Sequence, residues 1–139
     1  MEVTPDTIRI KIADFGLINQ ASLLSDGATL PVMSTGGGTP GFMAPELDGR
    51  ISRKKVQPEP RKPDIYSLGI MYHYLLTKEI PDTEDIIYNS YTLPSDYDDS
   101  FKDFIAFVIH WYPKDRPTIE QVIEHPFLKE KIAFLVKYY

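Results

Sequence analysis

The stretch from Pro63 to Thr77, Pro-Asp-Ile-Tyr-Ser-Leu-Gly-Ile-Met-Tyr-His-Tyr-Leu-Leu-Thr, limits the folds open to this chain more than any other. Between Ile65 and Leu76 only Ser67, Gly69 and His73 are neither apolar nor aromatic. Wound as a helix, such a segment keeps no wet face, so it is expected to be enclosed by other elements. Its start is marked as well: Pro63 has no backbone N–H to leave unsatisfied, and Asp64 can cap the first free amides. Thr77-Lys78-Glu79-Ile80-Pro81 ends the pattern. A chain of 139 residues is one domain or part of one, with room for about one such helix.

The remaining elements must pack around it. Thr7 to Ile12 alternates strictly, with isoleucines at 8, 10 and 12, and reads as a strand with one buried face behind a turn at Thr4-Pro5-Asp6. The period stops at Ala13-Asp14-Phe15-Gly16, and none is sustained from Leu17 to Gly41. A structureless loop of that length in a compact domain is either functional or a sign that an element there has been misassigned. Phe42 to Leu47 forms a compact turn or short helix start. Residues 50–62 hold Arg50, Arg53, Lys54, Lys55, Arg61 and Lys62 against Glu59, with Pro58 and Pro60, and read as a solvated loop rather than a surface for nucleic acid or an acidic substrate. Beyond the central helix, Thr83 to Tyr88 is expected to be a short helix. Phe101, Phe104, Ile105, Val108 and Trp111 fall at helical spacing, which predicts a helix from Ser100 to His110. Thr118 with Gln121 three positions on forms a capping box, opening a helix that buries Ile119, Val122 and Ile123 and stops at Pro126. Phe127 to Tyr139 is helix-like, with Ile132, Leu135, Val136 and Tyr139 on one side. The fold class is mainly α with a small β element at the front.

Composition excludes several functions. Net charge is −5, with 42% hydrophobic and 25% charged residues, an ordinary soluble balance that favours neither nucleic acid nor an anionic membrane. There is no cysteine, so disulfides and thiolate zinc sites are excluded. Glu2, Asp6, Arg9 and Lys11 leave no apolar block for a signal peptide, and an intracellular, cytoplasmic protein is expected. His73, His110 and His125 lack metal-ligand spacing; His73 reads as a hydrogen-bonded core residue and His125 as a helix-ending one.

Taken in order, the motifs resemble those of the protein kinase family. Asp14-Phe15-Gly16 after a strand is similar to its magnesium-binding motif, and Ala44-Pro45-Glu46 to the end of its activation segment. Asp64-Ile65-Tyr66-Ser67-Leu68-Gly69 resembles the start of the family's central buried helix. Asp115-Arg116-Pro117-Thr118 and His125-Pro126-Phe127-Leu128 resemble the closing helices of the same large, C-terminal lobe. Gly38-Thr39-Pro40-Gly41-Phe42-Met43 before Ala44 resembles the serine/threonine type; tyrosine kinases usually carry a proline-centred pattern there. The resemblance divides the chain into strand and Asp-Phe-Gly (1–16), activation segment (17–46), loop (47–63), central helix (64–77), closing helices (78–128) and a C-terminal helix (129–139).

The resemblance also implies roles. Asp14 would ligate Mg2+ bridging the phosphates of ATP, with Phe15 and Gly16 turning the chain away; by itself Asp14 also fits a strand-ending turn residue. Thr39 would line the site of the acceptor hydroxyl, although a threonine beside Gly and Pro is also an ordinary turn residue. Glu46 and Arg116 would form a buried ion pair, and Asp64 would receive backbone amides of a catalytic loop besides capping its helix. Ser22, Ser25, Thr29, Ser34 and Thr35 are candidate phosphorylation sites or plain loop residues. A Gly-rich phosphate loop, the phosphate-binding lysine and a His-Arg-Asp catalytic loop are not found in the chain. The expectation is therefore the C-terminal part of a serine/threonine kinase domain, with Met1 internal to a longer protein or an upstream exon missing. Its partner in full-length form would be a protein substrate. The short chain itself is expected to be inactive, marginally stable or self-associating. A non-catalytic interaction module on a degenerate kinase lobe is the alternative.

Overall fold

The computed structural model describes residues 11–13, 38–47, 49–51, 59, 61–88 and 91–130. The strand expected over residues 7–12 lies mostly outside them, as do Asp14, Phe15, Gly16, the loop to residue 37, residues 52–58 and the C-terminal stretch from 131. Residues 11–13 are irregular, and Ile12 is 85% exposed rather than buried. No strand occurs among the described residues; an extended segment earns that assignment only through ladder hydrogen bonds to a neighbour.

The central helix, α1, spans Lys62–Thr77. It starts two residues earlier than the sequence suggests, because Pro63 is accommodated within the first turn, where amides have no intrahelical acceptor. Arg61 is the N-cap residue and makes no side-chain cap bond, so Asp64 is not the cap. Asp64 instead sits in the first turn, where its charge opposes the positive end of the helix dipole. The helix ends at Lys78, whose φ of 64° is left-handed and whose N–H donates to Tyr74 O. The Lys78 side chain adds a bond to Leu75 O at 2.8 Å, and the Thr77 hydroxyl donates to His73 O at 2.9 Å. These bonds satisfy carbonyls that the last turn would leave open.

Three further helices follow: α2 (Thr83–Ile87), α3 (Asp99–Val108) and α4 (Ile119–Glu124). Asp82 caps α2 by accepting from the Glu84 amide at 2.7 Å, and Asp98 caps α3 through the Ser100 and Phe101 amides at 2.8 and 3.3 Å. Thr118 and Gln121 form both halves of the capping box on α4, at 3.3 and 2.8 Å. A 3-10 turn at Pro113–Asp115 separates α3 from α4, and residues 126–130 are again helical. No helix of the described residues is long and apolar enough to cross a membrane.

The core forms where α1 crosses α3. Ile65, Tyr66 and Ile70 of α1 meet Phe101, Phe104, Ile105 and Val108 of α3, with Val122 and Phe127 closing one end. Phe104 stacks on Phe127 and is edge-on to Tyr72. Gly69 makes the crossing possible: a Cβ there would lie 2.7 Å from Ile109 Cγ1 and 2.8 Å from Val108 Cγ2. Enclosure of α1 is incomplete, however. Met71, Tyr74, Leu75 and Leu76 are between 40% and 52% exposed. On α4 only Val122 is buried; Ile119 and Ile123, expected in the core, are 42% and 51% exposed. A helix this short offers the core a single row of contacts, and Val122 fills it.

His73 is buried at the end of α1. Its Nδ1 is 2.8 Å from Glu79 O, which can only accept, so Nδ1 carries the proton. Its Nε2 therefore accepts from the Tyr91 hydroxyl. His125, the C-cap residue of α4, accepts the Phe127 amide on Nδ1 at 3.3 Å, leaving Nε2 to donate to Asp103 at 3.3 Å.

Candidate functional site

The segment 38–47 is held as a series of turns on top of α1. Phe42 N–H donates to Thr39 O at 3.1 Å and Leu47 N–H to Ala44 O at 2.9 Å, closing two turns. Gly41 has φ of 85°, a conformation that costs other residues dearly, and a Cβ there would lie 2.8 Å from Ile80 Cδ1. Ser67 donates its hydroxyl to Phe42 O at 2.8 Å, and the Phe42 ring stands edge-on to Tyr74. Ser67 thus has a task inside an otherwise apolar helix: it takes up a loop carbonyl that the helix surface would leave unpaired. The segment then dives inward, and Ala44, Pro45 and Glu46 are buried.

Glu46 meets Arg116 across 70 positions of sequence. Arg116 Nη1 donates to Glu46 Oε1 at 2.6 Å and Nη2 to Oε2 at 2.9 Å, a two-pronged contact that a planar guanidinium suits. Its other donors are also occupied. Nε donates to His110 O at 2.9 Å, Nη1 again to Lys62 O at 3.1 Å, and Nη2 again to Trp111 O at 3.0 Å. All five N–H groups of the guanidinium are therefore used. The Tyr66 ring lies beneath it, 4.9 Å from Cζ to the ring centroid. Lys62 returns a bond from Nζ to Arg116 O.

The local sequence places Arg116 there. Pro113 opens the 3-10 turn, Arg116 N–H closes it on Pro113 O, and the buried Pro117 follows. The turn aims the side chain back at the start of α1 and at the end of the 38–47 segment. One buried cation thereby joins three parts of the chain: Glu46, the first turn of α1 and the exit from α3.

The other candidates are placed as follows. Thr39 is exposed, seven positions before Glu46 on the same segment. Asp64 lies in the first turn of α1, beside the buried Ile65 and Tyr66; partial burial holds its carboxyl above the usual range. Ala44, Pro45, Glu46 and Arg116 are brought together, while Asp14, Phe15 and Gly16 lie outside the described residues. Among the described residues no group of three or more His, Asp or Glu side chains could hold a metal ion. Sequence reasoning missed Lys62, Ser67 and Arg50 as contacts of this region. Arg50 and Lys62 were hidden in a run of basic residues; a lone serine in the apolar α1 was the one available signal for Ser67.

The chain matches the family model of the protein kinase domain over residues 3–128. It belongs to the protein kinase domain family, and its fold is protein-kinase-like, the described residues supplying a helical part of it. Among curated relatives it is 35% identical over 94% of its length to the probable cell cycle serine/threonine-protein kinase CDC5 homolog of Encephalitozoon cuniculi. It is 31% identical over 91% to the serine/threonine-protein kinase PLK4 of Drosophila persimilis, and 32% identical over 91% to the calcium/calmodulin-dependent protein kinase type 1 of Caenorhabditis briggsae. The chain spans 28%, 16% and 35% of the length of these three relatives, respectively.

Proposed function

We propose that this chain is the C-terminal, large-lobe part of a serine/threonine protein kinase domain, and that the whole domain moves the terminal phosphoryl group of ATP to a serine or threonine hydroxyl of a protein. The observation that carries the reading is the buried Arg116–Glu46 pair, which fastens the Ala44-Pro45-Glu46 end of one segment beside the first turn of α1. An unpaired guanidinium in that position would be strongly destabilising, so the pair sets where the preceding residues emerge. Thr39 emerges exposed from that anchored segment, a position suited to lining an acceptor site. In the reaction the acceptor oxygen bonds to the γ-phosphorus, the bond from that phosphorus to the bridging oxygen of ADP breaks, and the hydroxyl proton passes to a base.

Asp14 would ligate Mg2+, which when bound offsets charge on the phosphates of ATP. Asp64 would accept amides of a catalytic loop; its carboxylate is partly withdrawn from water and has no hydrogen-bond donor among the described residues. The small β element before Asp14 belongs to the same reading. An intracellular setting goes with it, since the phosphoryl donor is ATP and the chain has no cysteine to form disulfides. By itself the 139-residue chain would be inactive, because positioning a nucleotide and a hydroxyl takes several charged groups acting together.

The test is nucleotide binding by the longest polypeptide in which the cell makes this sequence. Calorimetric titration with ATP should show binding that depends on magnesium and weakens at least about tenfold in Asp14→Asn, the loss expected when a metal-bridged charge interaction goes. Binding indifferent to both magnesium and Asp14 would contradict the assignment.

A further inference from the structure

Arg50 sits at the edge of a basic run, yet its guanidinium reaches three separate parts of the described residues. Nη2 donates to Met43 O at 3.0 Å, in the segment 38–47. Nη1 donates to Thr83 Oγ1 at 2.9 Å, at the first residue of α2. The cation also lies over the Trp111 ring, 5.7 Å from Cζ to the centroid, just past the end of α3. The two donor nitrogens diverge from a rigid plane, so one residue spans two acceptors while its face rests on a third group. A lysine ammonium has no such fork.

α2 needs such ties. A helix of five residues has almost no stability of its own. Its position depends on the buried Ile86, on the Asp82 cap and on what holds Thr83. Ile80, in the link that leads from α1 into α2, lies against Gly41 of the segment 38–47. Segment 38–47 thus borders the approach to α2, and Arg50 is bonded to both the segment and the helix.

We infer that Arg50 is a positioning residue that couples segment 38–47 to α2, so that a displacement of either is felt by the other. The functional consequence rests on the kinase reading above: Thr39 and α2 would flank the surface presented to a protein acceptor, and Arg50 would set their separation. The mechanical coupling rests on the contacts alone.

Amide hydrogen exchange on the full 139-residue chain tests the coupling. The reporters are Phe42 N–H, bonded to Thr39 O, and Ile86 and Tyr88 N–H, bonded to Asp82 O and Glu84 O. Ile109 N–H, bonded to Ile105 O at the end of α3, is the control. Arg50→Ala should speed exchange at all three reporters by about fivefold, the effect of one net hydrogen bond, and leave Ile109 unchanged. Arg50→Lys should behave the same way, since the fork is lost. Thr83→Ala is the discriminating variant: it breaks only the α2 side, yet Phe42 should also speed up. If Thr83→Ala moves Ile86 and Tyr88 and leaves Phe42 alone, the coupling is refuted; so it is if Arg50→Ala speeds Ile109 equally.

A second arm reads function in the longest natural polypeptide containing the chain. Arg50→Ala should raise KM for a peptide acceptor about fivefold and leave KM for ATP unchanged, the pattern of lost acceptor positioning. Transfer with an unchanged acceptor KM overturns the functional consequence. Complete absence of transfer in the unmutated protein counts against the kinase reading, while the exchange result still decides the coupling.

Discussion

Replacing Glu46 by alanine removes the acceptor of two of the five N–H donors on Arg116 and leaves a guanidinium that is 2% exposed without its counter-charge. The three bonds to the carbonyls of His110, Lys62 and Trp111 remain, but they supply no negative charge. Breaking a buried pair from one side in this way costs about 3–5 kcal/mol. Arg116→Met, of similar length, orphans Glu46 and three backbone carbonyls together and should cost at least as much. The pair can be isolated by a double-mutant cycle. With both charges gone neither is left buried alone, so the double variant should be more stable than the sum of single losses implies, by about 2–3 kcal/mol. It should not return to the parent, because the three carbonyls stay unpaired. The assay is urea unfolding followed by the fluorescence of Trp111, run at several protein concentrations to separate unfolding from association. Whole-domain stabilities are only about 5–15 kcal/mol, so the single variants should be largely unfolded in modest urea. Additivity within about 0.5 kcal/mol would refute the reasoning, since it would mean that the two side chains do not hold each other.

Gly69→Ala should destabilise the chain: the gain in helix propensity is about 1 kcal/mol, while a Cβ within 2.8 Å of both Ile109 and Val108 overpacks the α1–α3 crossing by about 1–3 kcal/mol; a raised melting midpoint would count against the packing described. Burial lowers the pKa of His73 and of His110, so the unfolded chain takes up these protons first. Their contribution is intact above the ordinary histidine value of 6.5 and is lost as pH falls from there towards the lowered values. Thermal midpoints should therefore drop between neutral pH and about pH 5, and His73→Phe should flatten that slope without abolishing it. Thr118→Ala should cost about 1 kcal/mol through the lost cap on α4, read in the same melts. With Met71, Tyr74, Leu75 and Leu76 exposed on α1, sedimentation of the isolated chain should show association that grows with concentration; a monodisperse monomer with a cooperative melt would argue otherwise.

Much of the helical framework is legible in the amino-acid order because its signals are local. The apolar run after Pro63, the Phe101-Phe104-Ile105-Val108 spacing and the Thr118–Gln121 box each lead to an observed helix. The misreadings arise where a local signal is ambiguous. Asp64 is a good capping residue, but Pro63 is equally at home inside the first turn, and the helix takes the earlier start. Ile119 and Ile123 share a helical spacing with Val122, yet which side of α4 meets the core is decided by α3 and Phe127, not by α4 itself. An all-apolar α1 suggested full enclosure, whereas Met71, Tyr74, Leu75 and Leu76 stay partly open to solvent. Glu46 and Arg116 are linked only through the family resemblance, since nothing local joins residues so far apart. Arg50 was hidden because a basic run looks the same whether its side chains are solvated or bonded.

Phosphoryl transfer is the most direct test of the proposed function. The longest polypeptide in which this sequence is made, incubated with magnesium and ATP labelled at the γ-phosphate, should place label on serine or threonine of a protein acceptor, and Asp14→Asn should remove it. A pure, folded preparation that transfers no label, or one whose transfer is untouched by that substitution, would contradict the assignment.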